Sequence, residues 1–215
     1  MGSKALKVSE LFTSIQGEGF FMGLPSVFIR LAGCNLRCCW CDSKYAWEEG
    51  REMSVKSIIR YVKKKMCPLV TITGGEPLLQ DLTELLDELR KLDRIICVET
   101  NGTISPKDGY LKNVWFVVSP KLPSSGNPTE LAPPFDEHEN VYYYKFVLTC
   151  VEDFRDVERF VRDYQIPWWK VVCQPDGTQG LKLYKQLWKF FCKCPYPCRF
   201  MPQFHRLVWG VRRKV

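Results

Sequence analysis

The chain has 215 residues, of which 31 are basic and 24 acidic, and its formal net charge at pH 7 is +7. This length suits one globular domain (residues 1–215), which would bury roughly 70% of its unfolded surface. No apolar run reaches the roughly 18 residues of a membrane span, which excludes a helical membrane protein. The eleven cysteines are odd in number and follow no apolar secretory segment, so we expect reduced thiols and a cytoplasmic location.

Six short apolar runs predict buried strands. They are rich in β-branched and aromatic residues and do not alternate with polar ones, as is typical of parallel strands covered on both faces. In chain order they read SVFIRL, LVTIT, IICVE, VWFVVS, YYYKFVL and WWKVVCQ. Residues 119–140, rich in proline, serine and glycine, predict a long surface loop between the fourth and fifth runs.

Three windows between these runs carry apolar residues at helical spacing. The first follows Ser54, a candidate N-cap, and the others follow Asp81 and Thr149. Glu84 and Glu152 stand three residues after the last two, which predicts a capping box at each of these helix starts. Buried strands that alternate with amphipathic helices indicate an α/β fold, with mostly parallel strands in a sheet or partial barrel.

Polar and sulfur-containing residues follow five of the predicted strands. CNLRCCWCD follows the first, GGEP the second, TNGT the third, PK the fourth and PDG the last. The carboxyl ends of parallel strands share one edge, where such folds keep their active sites. Each segment alone could be a turn, but together they predict one functional site at that edge.

The first of these segments places Cys34, Cys38 and Cys41 in a C-x3-C-x2-C pattern. A structural zinc site needs four nitrogen or sulfur ligands, and neither histidine of the chain is near in sequence. Three thiolates suit a [4Fe-4S] cluster with one iron left open for a ligand from solution. Cys39 could be a fourth ligand, but its side chain should diverge from that of Cys38, so we interpret it as a packed thiol.

Arg30 lies inside the first apolar run. An unpaired guanidinium is costly in such a place, and an anion is its natural partner. Two interpretations stay open, a contact with a substrate carboxylate and a structural salt bridge.

Two of these motifs, CNLRCCWC and TITGGEP, resemble the signature of the radical S-adenosylmethionine superfamily. Within it, SIQGEGFFMGLPSVFIRLAGCNLRCCWCD, together with VETNG, SPK, QPDG and PQFH, resembles the 7-carboxy-7-deazaguanine synthase family. These motifs run from Ser14 to His205 and so cover nearly the whole chain. The resemblance implies the radical SAM core, a partial TIM-like barrel, and a lyase of deazapurine (queuosine or archaeosine) biosynthesis.

The resemblance implies a [4Fe-4S] cluster held by Cys34, Cys38 and Cys41, whose open iron binds S-adenosylmethionine. An electron from the reduced cluster then breaks a carbon-sulfur bond and yields a 5'-deoxyadenosyl radical. Two glycines would let the backbone approach the methionine amino group, and Glu76 could add a charge-assisted bond. The residues implied to line this cofactor are Trp40, Asp42, Gly74, Gly75, Glu76, Ser119, Lys121 and Gln174.

The SIQGEG motif would supply the substrate side. Gln16 and Glu18 around flexible Gly17 offer an amide and a carboxylate, which can recognise the edge of a pterin, and Arg30 would bind the substrate carboxylate. The further contacts implied by the resemblance are Ile15, Thr73 and His205. The family also uses Mg²⁺, which bridges a protein hydroxyl to the substrate carboxylate. The matching position is Ser43, where family members usually carry threonine.

The implied reaction converts 6-carboxy-5,6,7,8-tetrahydropterin to 7-carboxy-7-deazaguanine with loss of ammonia. Hydrogen abstraction by the adenosyl radical starts the ring contraction, and return of a hydrogen regenerates S-adenosylmethionine. The resemblance also implies flavodoxin or ferredoxin as the reductant and a homodimer. The net positive charge would suit an acidic reductase, and no direct contact with nucleic acid is expected.

Two other functions stay open at this point. An activating enzyme for a glycyl-radical protein would share the cysteine triplet, although SIQGEG and Arg30 argue against it. A zinc-stabilised basic module would bind nucleic acid instead. Such a module would be colourless, whereas a cluster enzyme would be brown and sensitive to oxygen.

A second group of cysteines occurs in CKCPYPC, at Cys192, Cys194 and Cys198. No comparable site belongs to the resemblance, and a fourth ligand is again missing. A second cluster or metal, packed thiols and a disulfide all stay open for this group.

Overall fold

The computed structural model describes residues 4–210 and 212–214, and the strands of this part form one sheet. The strands are β1 (Ala5–Ile15), β2 (Pro25–Leu31), β3 (Arg51–Ser54), β4 (Leu69–Gly74), β5 (Ile95–Thr100), β6 (Trp115–Val118), β7 (Tyr143–Leu148), β8 (Val171–Pro175) and β9 (Arg199–Phe200). The helices are α1 (Val55–Lys63), α2 (Thr83–Arg90), α3 (Asp153–Asp163), α4 (Gly180–Phe191) and α5 (Phe204–Trp209). Within the described ranges, no helix has the length and apolar character needed to cross a membrane.

Most neighbouring strands run parallel. The order across the sheet is β3-β1-β2-β4-β5-β6-β7-β8-β9, and every pair from β2 to β9 is parallel. The antiparallel pairs are those of β1 with β2 and with β3. Because β3 and β9 are the two edges, the barrel is open. The predicted fold class, a partial barrel of mostly parallel strands, is confirmed.

The two faces of the sheet form two separate cores, because successive residues of a strand face opposite sides. On the outer face, side chains such as Val70 and Ile72 of β4 pack with helix residues such as Leu85 of α2. A smaller cluster fills the inner face near the amino ends of the strands. Its buried members are Phe21, Leu69, Cys97, Val117, Tyr143 and Val172.

The same inner face becomes polar toward the carboxyl ends of the strands. Glu99 of β5, Lys145 of β7 and Gln174 of β8 each stand two positions after a member of the inner cluster. All three line a cavity. The inner cluster therefore fills one end of the open barrel and leaves the other end free for a site.

The helix starts agree with the sequence in one case out of three. The Oγ of Ser54 caps α1 by accepting a hydrogen bond from a first-turn N–H at 3.3 Å. The two predicted capping boxes are wrong. Asp81 accepts from the N–H of Thr83 at 3.0 Å, and at α3 the carboxylate of Asp153 reaches back to the N–H of Thr149 at 2.6 Å. At α2 the predicted cap residue Asp81 thus binds an N–H only two residues on, and at α3 Asp153 takes the place predicted for Glu152.

Five elements were not predicted from the sequence, namely β1, β3, β9, α4 and α5. The strand β1 alternates, with Leu6, Val8 and Phe12 buried, and so it lacks the continuous apolar run that marks a parallel strand. The long loop predicted at residues 119–140 is present and contains only single turns of 3-10 helix. Leu122 and Phe135 of this loop are nevertheless buried.

Gly74 ends β4 in a conformation that favours glycine, with a φ of +138°. A Cβ at this position would lie 2.1 Å from the carbonyl oxygen of Leu31.

Gly74→Ala should therefore lower the free energy of unfolding by about 3 kcal/mol or more, because it combines a positive φ with a backbone clash. The matched control is Gly109→Ala, where φ is +78° and no described atom lies within 4 Å of the added Cβ. That change should cost about 1 kcal/mol. Urea unfolding measures both losses, and equal values would contradict the packing explanation.

Candidate functional site

An open cavity of about 220 Å³ lies at the carboxyl ends of the parallel strands. All five segments identified in the sequence line it, through residues such as Cys34, Gly75, Asn101, Lys121 and Asp176. The prediction that these segments meet at one edge is confirmed. Every site residue predicted from the sequence lines this cavity except Glu76.

The cysteine loop after β2 is held against the turn at residues 123–125. The N–H of Cys39 donates to the carbonyl of Ser125 at 3.0 Å, and the Sγ of Cys39 donates to the carbonyl of Ser124 at 3.3 Å. Cys39 is exposed and does not line the cavity, whereas the other three cysteines of the loop do. The thiol of Cys39 therefore points away from the site, and it is exposed rather than packed as the sequence predicted.

The three thiols that line the cavity are not gathered as closely as the ligands of one metal ion. Within the part of the chain that the structure describes, their sulfur atoms do not all lie within 4.8 Å of one another. Thiolates on one tetrahedral zinc ion are about 3.8 Å apart. Burial raises the pKa of each thiol, and the charge of Cys34 adds to this effect at Cys38 and Cys41. A bound cationic centre would favour their thiolate forms.

Polar groups that line the same cavity are left without partners. Gln174 is fully buried, and neither atom of its amide makes a hydrogen bond to the described residues. The buried Nε1 of Trp40 likewise makes no hydrogen bond to the described residues. Lys121 lies 5.6 Å from the centroid of the Trp40 ring and donates to the carbonyl and hydroxyl of Ser119, both at 2.7 Å. Burial lowers the pKa of Lys121. Because buried polar groups almost always have partners, this arrangement fits a polar ligand in the cavity.

The glycines of GGEP are required by packing within the protein. A Cβ at Gly75 would lie 2.0 Å from the carbonyl oxygen of Gly33, and one at Gly74 would clash with Leu31. The pair therefore lets the end of β4 approach the start of the cysteine loop. Both glycines also line the cavity.

Glu76 differs from its predicted place beside the cofactor. Its side chain is fully buried behind the cavity wall. It accepts hydrogen bonds from the N–H of Leu78 at 3.0 Å, the hydroxyl of Thr100 at 2.8 Å and the N–H of Asn101 at 2.7 Å. Burial raises the pKa of Glu76, while these bonds favour its charged form. Glu76 therefore fastens the TNGT segment to the end of β4.

Glu99 connects two of the candidate substrate residues. The Nε2 of Gln16 donates to Glu99 Oε1 at 3.0 Å, and the hydroxyl of Thr73 donates to Glu99 Oε2 at 2.8 Å. The carboxylate thereby fixes the amide of Gln16 in one orientation. This contact joins the loop after β1 to the ends of β4 and β5.

Glu18 forms a buried ion pair with Lys145. The ammonium of Lys145 donates to Glu18 Oε2, and the Nε2 of Gln203 donates to Glu18 Oε1 at 2.7 Å. Burial alone would raise the pKa of Glu18, but the charge and hydrogen bond of Lys145 hold it well below its ordinary value. Burial alone would lower the pKa of Lys145, but the carboxylates of Glu18 and Glu99 raise it. Both groups therefore stay charged at neutral pH.

Arg30 takes part in a structural salt bridge and also lines the cavity. Its Nε donates to Glu10 Oε2 at 3.1 Å, and its Nη1 donates to the hydroxyl of Ser43 at 3.3 Å. Buried Glu10 also accepts from the Tyr45 hydroxyl and from Arg213 Nε, both at 2.9 Å. The Nη2 of Arg30 makes no hydrogen bond to the described residues. Two nitrogens of the guanidinium are thus held by the protein, and the third stays available to an anion.

The helix α5 brings His205 against the SIQGEG motif. The N–H of Phe204 donates to the carbonyl of Gly17 at 2.8 Å, and a Cβ at Gly17 would lie 2.4 Å from His205 Nδ1. Glycine is therefore needed for this close approach. Ligand atoms of Glu18, Asp42 and His205 lie within 4.8 Å of one another at this wall of the cavity.

Comparisons with known proteins identify the family. The Radical SAM superfamily matches residues 28–113. The 7-carboxy-7-deazaguanine synthase of Hyperthermus butylicus is 36% identical over 94% of this chain and 92% of its own. The 7-carboxy-7-deazaguanine synthase of Pyrobaculum aerophilum is 35% identical over 97% of this chain and 96% of its own. The chain belongs to the 7-carboxy-7-deazaguanine synthase family.

A solved structure supports the same assignment. The crystal structure of QueE from Escherichia coli matches with a TM-score of 0.75 and 25% sequence identity, over 94% of this chain and 95% of that one. Membership of the radical SAM superfamily implies a [4Fe-4S] cluster and S-adenosylmethionine. The three thiols and the unpaired polar groups of Trp40 and Gln174 in the same cavity fit both cofactors.

The sequence analysis of this 7-carboxy-7-deazaguanine synthase family member did not predict three residues that line the cavity. They are Glu99, Lys145 and Gln203. Glu99 and Lys145 lie in the runs IICVE and YYYKFVL. The argument that singled out Arg30, a charge inside an apolar run, applies equally to both. Gln203 belongs to PQFH and carries no such signal, because its role depends on its approach to Glu18.

Lys145→Met should lower the free energy of unfolding at pH 7 by about 3–5 kcal/mol, because Glu18 would stay buried without its cation. In the unchanged chain the pKa of Glu18 lies below its ordinary value of 4.5. The contribution of this group to stability is therefore complete above that pH and is lost as the pH falls through the folded-state pKa. In the variant, burial without Lys145 raises the pKa of Glu18, so Glu18 becomes protonated and its burial is less costly. The difference in free energy of unfolding between the two proteins should therefore be smaller at about pH 5 than at about pH 7.

Urea unfolding of both proteins at these two pH values measures the gap. The matched control is Lys107→Met, which removes an exposed lysine 2.8 Å from Asp81. That change should cost less than about 1 kcal/mol at either pH. If Lys145→Met lowers the free energy of unfolding by the same amount at both pH values, the ion-pair explanation is contradicted.

Proposed function

We propose that the chain is a radical S-adenosylmethionine enzyme that converts 6-carboxy-5,6,7,8-tetrahydropterin to 7-carboxy-7-deazaguanine with loss of ammonia. The observation that carries the proposal is one cavity that joins three thiols to a network of buried charges. A cluster and its sulfonium cofactor need the three thiols, and a carboxylated pterin fits the network of buried charges. The curated relatives match over nearly the full chain and favour this activity over activation of a glycyl-radical protein and over a nucleic-acid module.

At one end of the cavity, Cys34, Cys38 and Cys41 would hold the cluster. When bound, the cluster and S-adenosylmethionine supply the radical chemistry, and the protein binds, orients and shields the reacting groups. The unpaired amide of Gln174 and the unpaired indole N–H of Trp40 would bind polar groups of the cofactor. The other proposed cofactor contacts are Asp42, Gly74, Gly75, Ser119 and Lys121.

At the other end, buried charges would orient the pterin. Gln16 is held by Glu99, and Glu18 is held by Lys145, so their free amide and carboxylate positions are fixed before substrate arrives. The unpaired Nη2 of Arg30 would bind the substrate carboxylate as a charge-assisted hydrogen-bond donor. The other proposed substrate contacts are Ile15, Gly17, Thr73 and His205. Such preorganised groups cost no reorganisation at the moment of reaction.

The proposal includes partners and a location. An outside one-electron carrier, flavodoxin or ferredoxin, would reduce the cluster, and the net charge of +7 would favour an acidic one. We expect a homodimer, as in the family. We also propose that residues 1–215 form a single radical SAM domain. All eleven cysteines are free thiols in the structure, which supports a location in the reducing cytoplasm.

Cys38→Ser should abolish cluster binding and product formation, whereas Cys39→Ser should preserve both. The two cysteines are adjacent, but only Cys38 lines the cavity. Anaerobic reconstitution followed by iron and sulfide analysis measures the cluster. Incubation with dithionite, S-adenosylmethionine and the carboxypterin, followed by mass spectrometry, measures the deazaguanine acid.

Each outcome of this experiment separates two parts of the proposal. Cleavage of S-adenosylmethionine without the deazaguanine acid would remove the substrate and leave the radical chemistry. Loss of the cluster in Cys39→Ser to the same degree as in Cys38→Ser would overturn the assignment of the three ligands.

Ser43 is the proposed protein ligand of Mg²⁺. Its hydroxyl donates to Asp42 Oδ1 at 2.9 Å and accepts from Arg30 at 3.3 Å, so it lies beside the proposed binding position of the substrate carboxylate. Ser43→Ala should remove the stimulation of turnover by Mg²⁺, and Ser43→Thr should keep it, because a hard cation needs the oxygen. Turnover is measured against Mg²⁺ concentration at equal cluster content. Equal stimulation of Ser43→Ala and the unchanged enzyme would exclude this hydroxyl as a ligand.

A further inference from the structure

The end of the chain reaches the buried carboxylate that holds Arg30. Glu10 stands opposite Arg30 in the antiparallel pair of β1 with β2, and its side chain is only 1% exposed. Its Oε2 accepts a hydrogen bond from Arg30 Nε at 3.1 Å. Its Oε1 accepts one from the Nε of Arg213, 203 residues further along the chain, at 2.9 Å. One buried carboxylate therefore lies between two guanidinium groups.

Two further contacts hold Arg213 in this position. The central carbon of its guanidinium lies 3.6 Å from the centroid of the Tyr45 ring, which is a cation–π contact. The hydroxyl of the same ring donates to Glu10 Oε2 at 2.9 Å. Glu49 Oε2 lies 3.6 Å from Arg213 Nη1, and its side chain is 65% exposed. The aromatic face and the carboxylate thus form one binding place, which suits a planar guanidinium.

Arg213 changes the charge that Arg30 presents to the cavity. Glu10 alone would neutralise Arg30, and a neutral pair attracts an anion only weakly. With Arg213, two positive charges share one buried negative charge, so the three groups together are positive. Glu49 offsets this charge little, because water and salt screen an exposed carboxylate.

The nearest acidic group on the cavity side of Arg30 has a cation of its own. Arg30 Nη1 donates to the hydroxyl of Ser43, which in turn donates to Asp42 Oδ1. Asp42 Oδ2 lies 3.5 Å from the Nη2 of Arg206. Arg30 is therefore not needed as the counter-ion of Asp42, and its positive charge stays available to a ligand.

We propose that Arg213 is a positioning residue for the substrate carboxylate, and that it acts through Glu10 on Arg30. Arg213 balances the charge of Glu10 and fixes its carboxylate, which then holds Arg30 by Nε and leaves Nη2 directed to the ligand. The group recognised in this way is a carboxylate, here that of the carboxypterin. This inference rests on the function proposed above and adds a residue at the end of the chain to it.

The kinetic test replaces Arg213 by methionine in the reconstituted holoenzyme. Arg213→Met should raise KM for the carboxypterin by roughly three- to tenfold, between the effects expected for an exposed and for a buried ion pair. It should leave kcat unchanged at equal cluster content, because Arg213 acts on binding and not on the reacting atoms. The matched control is Arg212→Met, which removes the same charge from the adjacent, exposed position and should leave both constants unchanged.

A binding experiment separates recognition of the carboxylate from a structural role of the chain end. The two probes are 6-carboxypterin and pterin, which differ only in the carboxyl group, and anaerobic calorimetry measures their Kd values. Arg213→Met should weaken 6-carboxypterin by the same factor by which it raises KM, and it should leave the Kd of pterin unchanged. Arg213→Lys restores the charge without the planar fork, so it should recover most of the lost affinity.

The outcomes distinguish this inference from the proposed function. An unchanged enzyme that binds both probes equally would contradict the carboxypterin as the substrate, and the role of Arg213 would fall with it. An unchanged enzyme that prefers 6-carboxypterin, together with an equal preference in Arg213→Met, would overturn the inference alone. Equal weakening of both probes by Arg213→Met would also overturn it, because that result would show that Arg213 only holds the chain end in place.

Discussion

The two-residue alternation of the parallel strands is the constraint on which the fold and the site both depend. On β5 the inner face carries Cys97 and then Glu99, and on β7 it carries Tyr143 and then Lys145. A shift of one residue in either strand would move these charges into the core beneath the helices. The apolar outer face therefore fixes the register, and this register directs the charged side chains into the open barrel.

Charges placed inside a barrel need partners from other elements. Glu18 is paired with Lys145, and Arg30 is paired with Glu10. An unpaired ion in such surroundings is strongly destabilising, whereas a hydrogen-bonded pair is tolerated. The protein thus satisfies these groups before a ligand binds and leaves selected atoms, such as Arg30 Nη2, free toward the cavity. The two interpretations of Arg30 are therefore compatible, because the planar guanidinium has more than one nitrogen that can bind an anion.

The sequence predicts the parallel strands and their common edge because both depend on local patterns. It does not predict which charges pair, because Glu18 and Lys145 are 127 residues apart and their contact depends on the complete sheet. Glu76 illustrates the same limit within a motif. Its position in GGEP indicates that it is near the site, but the direction of its side chain is set by the N–H groups of Leu78 and Asn101. The antiparallel β1 was missed because one-sided burial leaves an alternating pattern in place of a continuous apolar run.

The strand β8 also connects the edge strand β9 to the cavity. The N–H of Met201 donates to the carbonyl of Cys173 at 3.1 Å, which holds the short strand β9 against β8. Two residues later, Gln203 accepts from the N–H of Gly177 at 2.9 Å and donates to Glu18. One strand therefore holds β9 through the carbonyl of Cys173 and lines the cavity through Gln174, because consecutive residues of β8 face opposite sides of the sheet. The stretch of chain that begins at β9 then carries Gln203 to Glu18, so the edge of the sheet holds a buried charge of the cavity in place.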